Sequence, residues 1–196
     1  MARAGITVDR LVAAAAELAD EVGFDKVSLS ALARRFGVKD ASLYSHVRNL
    51  QELRMRLALL AGGEMTDRIA DAVAGRSGKE ALAAFAAAYR EYALTHPGRY
   101  AATQIHVDPA LAADSPAMRR TTEVTYGLLR AYGLKEPDLT DAVRLLRSTF
   151  HGYCALEAGG GFNASRDVGS SWDRVVDALH TALTHWPRGT HGPEAG

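Results

Sequence analysis

Between Lys39 and Arg48, polar, aromatic and basic side chains stand close together in a pattern suited to binding DNA. They belong to Lys39, Asp40, Ser42, Tyr44, Ser45, His46 and Arg48. Cations and hydroxyls bind phosphate oxygens, and hydrogen-bonding side chains recognise base edges in the major groove. An ordinary corner between two packed helices has no need of an aromatic residue, a histidine and an arginine on its solvent face. The combination therefore indicates a segment that reads nucleic acid.

A short helix and a tight turn precede this segment and must position it. Ser28 is placed to cap the helix, whose apolar residues recur at i, i+3, i+4 and i+7 as Leu29, Leu32, Ala33 and Phe36. This stripe faces a core. Gly37 supplies the left-handed residue that ends the helix, and Val38 fills the corner of the turn.

A second helix over residues 41–47 is predicted after the turn, with Asp40 as its cap. Leu43 and Val47 lie four residues apart and therefore point inward together. The polar and basic side chains stay outside. Two helices arranged in this way form a helix-turn-helix, whose second helix enters the DNA major groove.

The stretch from Leu32 to Asn49, followed by Glu52-Leu53, resembles the DNA-binding domain of the tetracycline-repressor (TetR) family. Its Gly-Val, Leu-Tyr and His-Val-Asn landmarks have the family's spacing, and residues 6–24 resemble the family's first helix. The resemblance implies that the aromatic and histidine side chains contact phosphates or base edges, that residues 40–42 approach bases, and that the arginine binds the DNA backbone. The predicted DNA-binding residues are Ser28, Lys39, Asp40, Ala41, Ser42, Tyr44, Ser45, His46 and Arg48.

The sequence departs from the family at position 50. Leu50 stands where many members carry a lysine that binds phosphate, so that anchor is either missing or replaced by Arg48 or Arg54. Ser45 is small where an aromatic residue is common. The operator sequence of another member therefore does not transfer to this chain.

Charge is distributed unevenly along the 196 residues, although the formal net charge is zero. Residues 31–60 contain six basic and two acidic residues, whereas residues 61–196 contain 14 basic and 16 acidic residues. A neutral chain is not a generic polyanion binder. The local positive excess lies on the predicted reading segment, where phosphate neutralisation requires it.

The periodicity of apolar residues predicts an all-α protein of about nine helices and no strand. An N-terminal three-helix helix-turn-helix domain occupies residues 1–50, and a helical effector-binding and dimerisation domain occupies residues 51–188, before a flexible tail at 189–196. The predicted helices span residues 8–22, 28–36, 41–47, 77–95, 99–106, 115–132, 137–159 and 169–186, and a long helix begins at Asn49, continues past Ile69 and ends before the break at 75–78. Residues 107–115 are predicted to form a loop.

A palindromic operator requires a two-fold symmetric protein, since one DNA-binding head, the domain of residues 1–50, covers one half-site. By the family resemblance, the helices near 137–159 and 169–186 form the homodimer contact. The small residues Gly152, Ala155, Ala158 and Ala178 permit close approach, and Phe150, Trp172 and Leu183 supply buried area. The alternative is that these residues face the core of their own chain.

The C-terminal domain is predicted to enclose a cavity for a small-molecule effector. Residues 150–157, with Gly161-Phe162 downstream, resemble the aromatic-His-Gly pattern of the family's WHG subgroup, which implies a regulatory domain without a common ligand. Aromatic residues mixed with a few polar groups are typical of such cavities. The candidates are Phe85, Tyr89, Tyr92, Tyr100, Gln104, Thr122, Tyr126, Arg147 and His151. The alternative is that the aromatic residues belong to the core.

Enzymatic, metal-binding and membrane functions are not favoured. Cys154 is the only cysteine, so no intramolecular disulfide forms, and it reads as a buried apolar residue rather than a nucleophile beside His151. The histidine pairs lack zinc-ligand spacing, so neither metal nor cofactor is predicted. No signal peptide or membrane span is evident, which predicts a cytoplasmic protein.

The sequence therefore predicts a ligand-responsive repressor that binds a palindromic operator as a homodimer. The two heads can have a spacing that fits the operator or one that does not. A ligand that binds better to the second arrangement lowers operator affinity by its differential binding energy. Two alternatives stay open: a ligand-activated activator, and a helical interaction module with a degenerate head.

Overall fold

The computed structural model describes residues 5–113 and 115–187, which contain nine α-helices and no strand. The helices are α1 Val8–Val22, α2 Leu29–Phe36, α3 Leu50–Val73, α4 Gly78–Thr95, α5 Pro97–Ala102, α6 Pro109–Ala113, α7 Pro116–Arg130, α8 Asp138–Ala158 and α9 Val168–Thr184. Two 3₁₀ helices, Phe24–Lys26 and Asp40–Ser45, flank α2. The predicted all-α fold is confirmed. The predicted tail at 189–196 lies outside the described residues.

Side-chain caps explain where several helices begin. The Thr7 hydroxyl accepts a hydrogen bond from the Arg10 N–H at 3.2 Å, and Ser28 accepts one from Ala31 at the same distance. Asn49 Oδ1 accepts from the Glu52 N–H at 2.8 Å. Each cap satisfies a backbone donor that the first helical turn leaves without a partner.

Two helix predictions in the middle of the chain need correction. Residues 107–115 are not all loop, because Asp108 Oδ1 accepts from the Ala110 N–H at 2.9 Å and Pro109 opens the short helix α6. Helix α5 covers residues 97–102 rather than 99–106, since Pro97 occupies its first turn. In both cases a proline occupies the first helical position. The backbone N–H that proline lacks would have no partner within the helix at this position.

The described residues form two hydrophobic cores that share α3. The N-terminal core joins α1, α2 and the first two turns of α3, through Leu53 and Leu57, and it also contains Ala102 of α5. The second core contains Ile69 of α3 and residues of α4, α7, α8 and α9. A single continuous helix therefore connects the N-terminal unit with the C-terminal bundle.

The large apolar residues expected at the dimer contact lie inside their own chain. Phe150, Trp172 and Leu183 are almost fully buried in the second core, and the Phe150 and Trp172 ring centroids are 5.3 Å apart. They have no surface left to bury against a partner, so their predicted role at the dimer contact is wrong. Ala155, Leu156, Ala158 and Ala178 remain exposed.

Candidate nucleic-acid interface and ligand cavity

The predicted reading segment is a short 3₁₀ helix anchored by two buried residues. Leu43 and Val47 are buried in the N-terminal core, as predicted. Tyr44 projects outward with 56% of its surface exposed. Gly37 ends α2 in the left-handed region at φ 65°, also as predicted, because an L side chain is strained there. The reading segment is thus anchored in the core on one side and exposed to solvent on the other.

The segment is shorter and more tightly wound than the predicted α-helix over residues 41–47. Its N–H donors bond three residues back, with Ser42 to the Lys39 carbonyl and His46 to the Leu43 carbonyl, both at 2.9 Å. The Ser45 hydroxyl donates to the Ser42 carbonyl at 2.8 Å. Short polar side chains compete in this way for the carbonyls that an α-helix would use.

Asp40 does not cap the segment, contrary to prediction. The position before the 3₁₀ helix is Lys39, which makes no side-chain capping bond. Instead, the Asp40 carboxylate accepts a hydrogen bond from the Ser30 hydroxyl of α2. The carboxylate thus ties the reading segment to the preceding helix.

Most of the predicted DNA-binding residues are accessible to solvent. Seven of them are exposed: Lys39, Asp40, Ala41, Ser42, Tyr44, Ser45 and Arg48. Ser28 and His46 are half-buried. The Ser28 oxygen accepts the capping bond, and its hydroxyl keeps one hydrogen that can be donated.

Several basic residues of the head are engaged within the protein. Arg35 pairs with Glu17 at 2.6 Å and Glu21 at 2.9 Å, and Arg54 donates to the Asp25 carbonyl at 3.0 Å. Arg54 is therefore not the free cation that could replace the missing lysine at position 50. Arg48 fits that role better, because 86% of its side chain is exposed even though its Nε lies 3.2 Å from the Glu52 carboxylate.

A buried carboxylate, Glu52, organises the junction between the reading segment and α3. It accepts from the Arg48 N–H at 2.8 Å, and its other oxygen accepts from Arg56 Nη2 at 2.8 Å. These hydrogen bonds lower the pKa of Glu52 to about 2, although burial opposes the shift. Sequence reasoning did not single out this role. The signal was available, since Asn49 followed three residues later by a glutamate has capping-box spacing.

A cavity of about 710 Å³ lies in the C-terminal bundle, between α3, α4, α6, α7, α8 and the segment that follows α5. This volume is within the usual range of small-molecule sites. Six of the nine predicted ligand-binding residues line it: Phe85, Tyr89, Gln104, Thr122, Tyr126 and Arg147.

Three predicted ligand-binding residues do not line this cavity. Tyr92 is fully buried, and its hydroxyl donates to Glu64 at 3.0 Å on the side of the bundle that faces α1. Tyr100 lies behind Tyr89, with the two hydroxyl oxygens 2.9 Å apart, and His151 Nδ1 is 2.9 Å from the Tyr100 hydroxyl. Helical spacing placed these residues near the site, but the packing of α5 against α4 decided which ring reached the cavity.

Sequence reasoning missed much of the lining. Helix α3 supplies Leu59, Gly62 and Met65, and α7 supplies Met118, Thr121 and Thr125. Within α7, the 100° period brings these residues to one side. That period was a usable signal, but only the tertiary arrangement identifies that side as cavity rather than core.

The head docks on the bundle where α1 meets α5. A Cβ atom added to Gly98 would lie 1.9 Å from the Ala19 carbonyl oxygen, so the two backbones are in direct contact. Beside this contact, the Asp20 carboxylate accepts from the Arg99 N–H at 2.9 Å and lies 3.2 Å from His96 Nδ1. Arg99 also pairs with Glu64 of α3 at 3.1 Å. Polar bonds therefore join α1, α3 and α5 at one point.

Other chemistry finds little support in the described residues. Burial raises the pKa of the Cys154 thiol to about 11, so the thiol is protonated at neutral pH. Its neighbour in sequence, His151, is bonded to Tyr100 instead. Within the described ranges, no group of three potential ligands could hold a metal ion, and no helix is long and apolar enough to cross a membrane.

Comparisons with known proteins give concordant results. Residues 11–54 match the family model of bacterial regulatory proteins of the tetR family, and residues 82–179 match a tetracyclin repressor-like C-terminal domain. The uncharacterized HTH-type transcriptional regulator YobS of Bacillus subtilis is 34% identical over 85% of this chain and 86% of its own length. The uncharacterized HTH-type transcriptional regulator Rv0681 of Mycobacterium tuberculosis is 32% identical over 80% of this chain and 72% of its own length. The resemblance to the WHG subgroup stays a prediction.

A solved structure extends the comparison to the whole fold. The TetR family protein ActR of Streptomyces coelicolor, in complex with (S)-DNPA, superposes with a TM-score of 0.71. The match covers 95% of this chain and all of that chain at 20% sequence identity. At this identity the likeness concerns the fold alone.

Proposed function

The chain belongs to the tetR family of bacterial transcriptional regulators, and from this premise we propose that it is a ligand-responsive repressor acting as a homodimer on a palindromic operator. The observation that carries the proposal is the position of α5. Its last residue, Ala102, is buried in the core of the head, while the next residue, Thr103, lines the cavity. A ligand in the cavity thus contacts a segment that is directly attached to the head.

The proposed response follows from this connection. Residues 103–107 line one side of the cavity, and α5 packs against α1 through Gly98. A ligand that displaces this segment moves α1, and with it the reading segment, relative to the bundle. In a dimer, such a movement changes the spacing of the two heads, and operator affinity falls by the ligand's preference for the second arrangement.

Selection of binding sequences from a random duplex pool at physiological salt tests the proposed function. We expect enrichment of an inverted repeat. A promoter that carries this repeat should be silenced by a repressor and stimulated by an activator. Failure to enrich any sequence would contradict the proposal and favour a helical interaction module with a degenerate head.

The exposed side chain of Tyr44 is predicted to contribute to operator binding, and Arg48 to bind the DNA backbone. Tyr44→Ala should weaken binding to the selected repeat without altering thermal unfolding, because the side chain is largely exposed. Arg48→Ala should weaken binding to all duplexes alike and lower the salt slope by about one unit for a lost phosphate contact. Both effects are measurable by fluorescence anisotropy over a salt series. Arg76→Ala, at an exposed arginine between α3 and α4, is the control, and unchanged binding by Tyr44→Ala and Arg48→Ala would contradict the docking.

The proposed dimer uses α8 and α9, where small and apolar residues remain exposed. Leu156 is 52% exposed on α8, with the exposed Ala155 beside it. Exposed leucine next to small residues allows two helices to approach closely and bury apolar area.

Leu156→Glu is predicted to convert the dimer into a monomer, since it places two charges at the symmetric contact. Loss of the second head should reduce operator affinity about a hundredfold or more. Analytical ultracentrifugation gives the mass, and anisotropy gives the affinity. Leu94→Glu, at another exposed leucine on α4, should leave both unchanged. A dimeric Leu156→Glu protein would place the contact elsewhere.

A further inference from the structure

The cavity is lined by an arginine that no described residue neutralises. Arg147 of α8 lines the cavity and makes no ion pair or hydrogen bond with a described residue. None of the described lining residues is acidic. Arg147 is also exposed overall, so its side chain is accessible to an entering ligand.

A chain of hydroxyl groups lies near this cation. The Tyr89 and Tyr100 hydroxyls are bonded to each other, and Tyr100 is bonded to His151 Nδ1. Tyr89 and Arg147 both line the cavity. Burial raises the pKa of Tyr89, and the positive charge of Arg147 acts against this shift. The chain can be oriented so that His151 donates to Tyr100, Tyr100 donates to Tyr89, and the Tyr89 hydroxyl donates into the cavity.

The remainder of the cavity is suited to an apolar body. Its lining includes Leu59, Met65, Ile69, Met118, Val124 and the ring of Phe85. Methionine side chains adapt to irregular apolar shapes, and aromatic rings favour flat ligands. The site therefore combines one cationic, hydrogen-bonding end with a large apolar end.

We propose that the cavity binds an amphiphilic carboxylate, with its carboxylate on the Arg147 guanidinium and the Tyr89 hydroxyl and its apolar body between α3 and α7. Guanidinium binds carboxylate through two parallel hydrogen bonds, which neither a neutral nor a cationic group reproduces. This inference rests on the proposed function only in assigning the cavity as the effector site.

Three probes that share a naphthyl body and differ in the charge and hydrogen bonding of their polar end test the ligand class: 2-naphthaleneacetate, its primary amide, and 2-(2-naphthyl)ethylammonium. Isothermal titration calorimetry with the full chain should show the acetate binding at least tenfold more tightly than either analogue, as a charge-assisted bond predicts. Arg147→Gln should remove this preference while weak amide binding persists. Arg147→Lys should recover part of the preference. Arg144→Gln, one turn earlier on α8 and paired only with Asp141, should behave as the native chain.

Equal binding of the three probes, tighter binding of the cation, absence of binding by all three, or a preference that survives Arg147→Gln would each overturn the proposal. Operator binding is recorded separately with each probe. If the acetate binds in an Arg147-dependent manner without changing operator affinity, the ligand class is correct and the proposed ligand response fails. If the operator is bound but the acetate shows no preference, the proposed regulator stands and the ligand class fails.

Discussion

Replacing Gly98 by alanine is expected to destabilise the folded chain by about 3 kcal/mol and to separate the head from the bundle. The added Cβ atom would lie 1.9 Å from the Ala19 carbonyl oxygen and 2.5 Å from the Asp20 nitrogen. Both are backbone atoms of α1, so no side-chain rotation relieves the overlap. The helices must move apart, which breaks the bonds between Asp20 and Arg99.

Chemical denaturation and thermal unfolding measure this effect. A loss of about 3 kcal/mol corresponds to a fall in the melting temperature of about 10 °C for a chain of this size. Gly127→Ala is the matched control, because Gly127 lies on α7 with no atom within 4 Å of an added Cβ. The control should be neutral or slightly stabilising, as expected for alanine in an exposed helix. A Gly98→Ala protein as stable as the native chain would show that α1 and α5 do not pack as described.

Glu52→Gln is predicted to reduce the stability of the head by about 3 kcal/mol at pH 7, the value that corresponds to lowering its pKa from 4.5 to about 2. Glutamine preserves the size of the side chain. It lacks the negative charge that strengthens the hydrogen bonds from Arg56 and the Arg48 N–H. Because the folded pKa is lower than the unfolded pKa, the stabilisation is complete above about pH 5. It is lost as the pH falls from the unfolded pKa towards the folded one.

Denaturant unfolding at a series of pH values therefore distinguishes this carboxylate from others. The difference in unfolding free energy between the native chain and Glu52→Gln should fall by about half by pH 3. Glu17→Gln, at an exposed carboxylate paired with Arg35, should have a small effect at every pH. A difference that does not depend on pH would mean that Glu52 acts by packing rather than by its charge.

In the proposed ligand response, Gly98 and Glu52 would also help to couple the cavity to the head. Gly98 sets the distance between α1 and α5, and Glu52 fixes the start of α3 beneath the reading segment. In the proposed ligand response, both residues act on elements that connect the cavity with the reading segment. Variants that leave the cavity intact but loosen either contact should thus bind ligand normally and respond poorly at the operator.

Local sequence patterns determined the helices and most of their ends. Thr7, Ser28 and Asn49 have the residue type and position of caps, and their side chains accept the expected bonds from the first helical turn. The burial of Leu43 and Val47 follows from their spacing alone. These features depend on residues within one or two helical turns of each other, so they can be read from the chain directly.

Only the tertiary structure decided how the helices meet and what each face contacts. In the sequence, Gly98 looks like part of a helix end. In the structure, α1 packs so closely against it that no side chain fits, although the two segments are nearly 80 residues apart in the chain. Phe150 and Trp172 suit a dimer contact by type, but packing turns them into the core. The same aromatic stripe on α4 places Tyr89 in the cavity and Tyr92 against Glu64. Helical periodicity defines a face, but the partner of that face depends on distant segments, which no local pattern specifies.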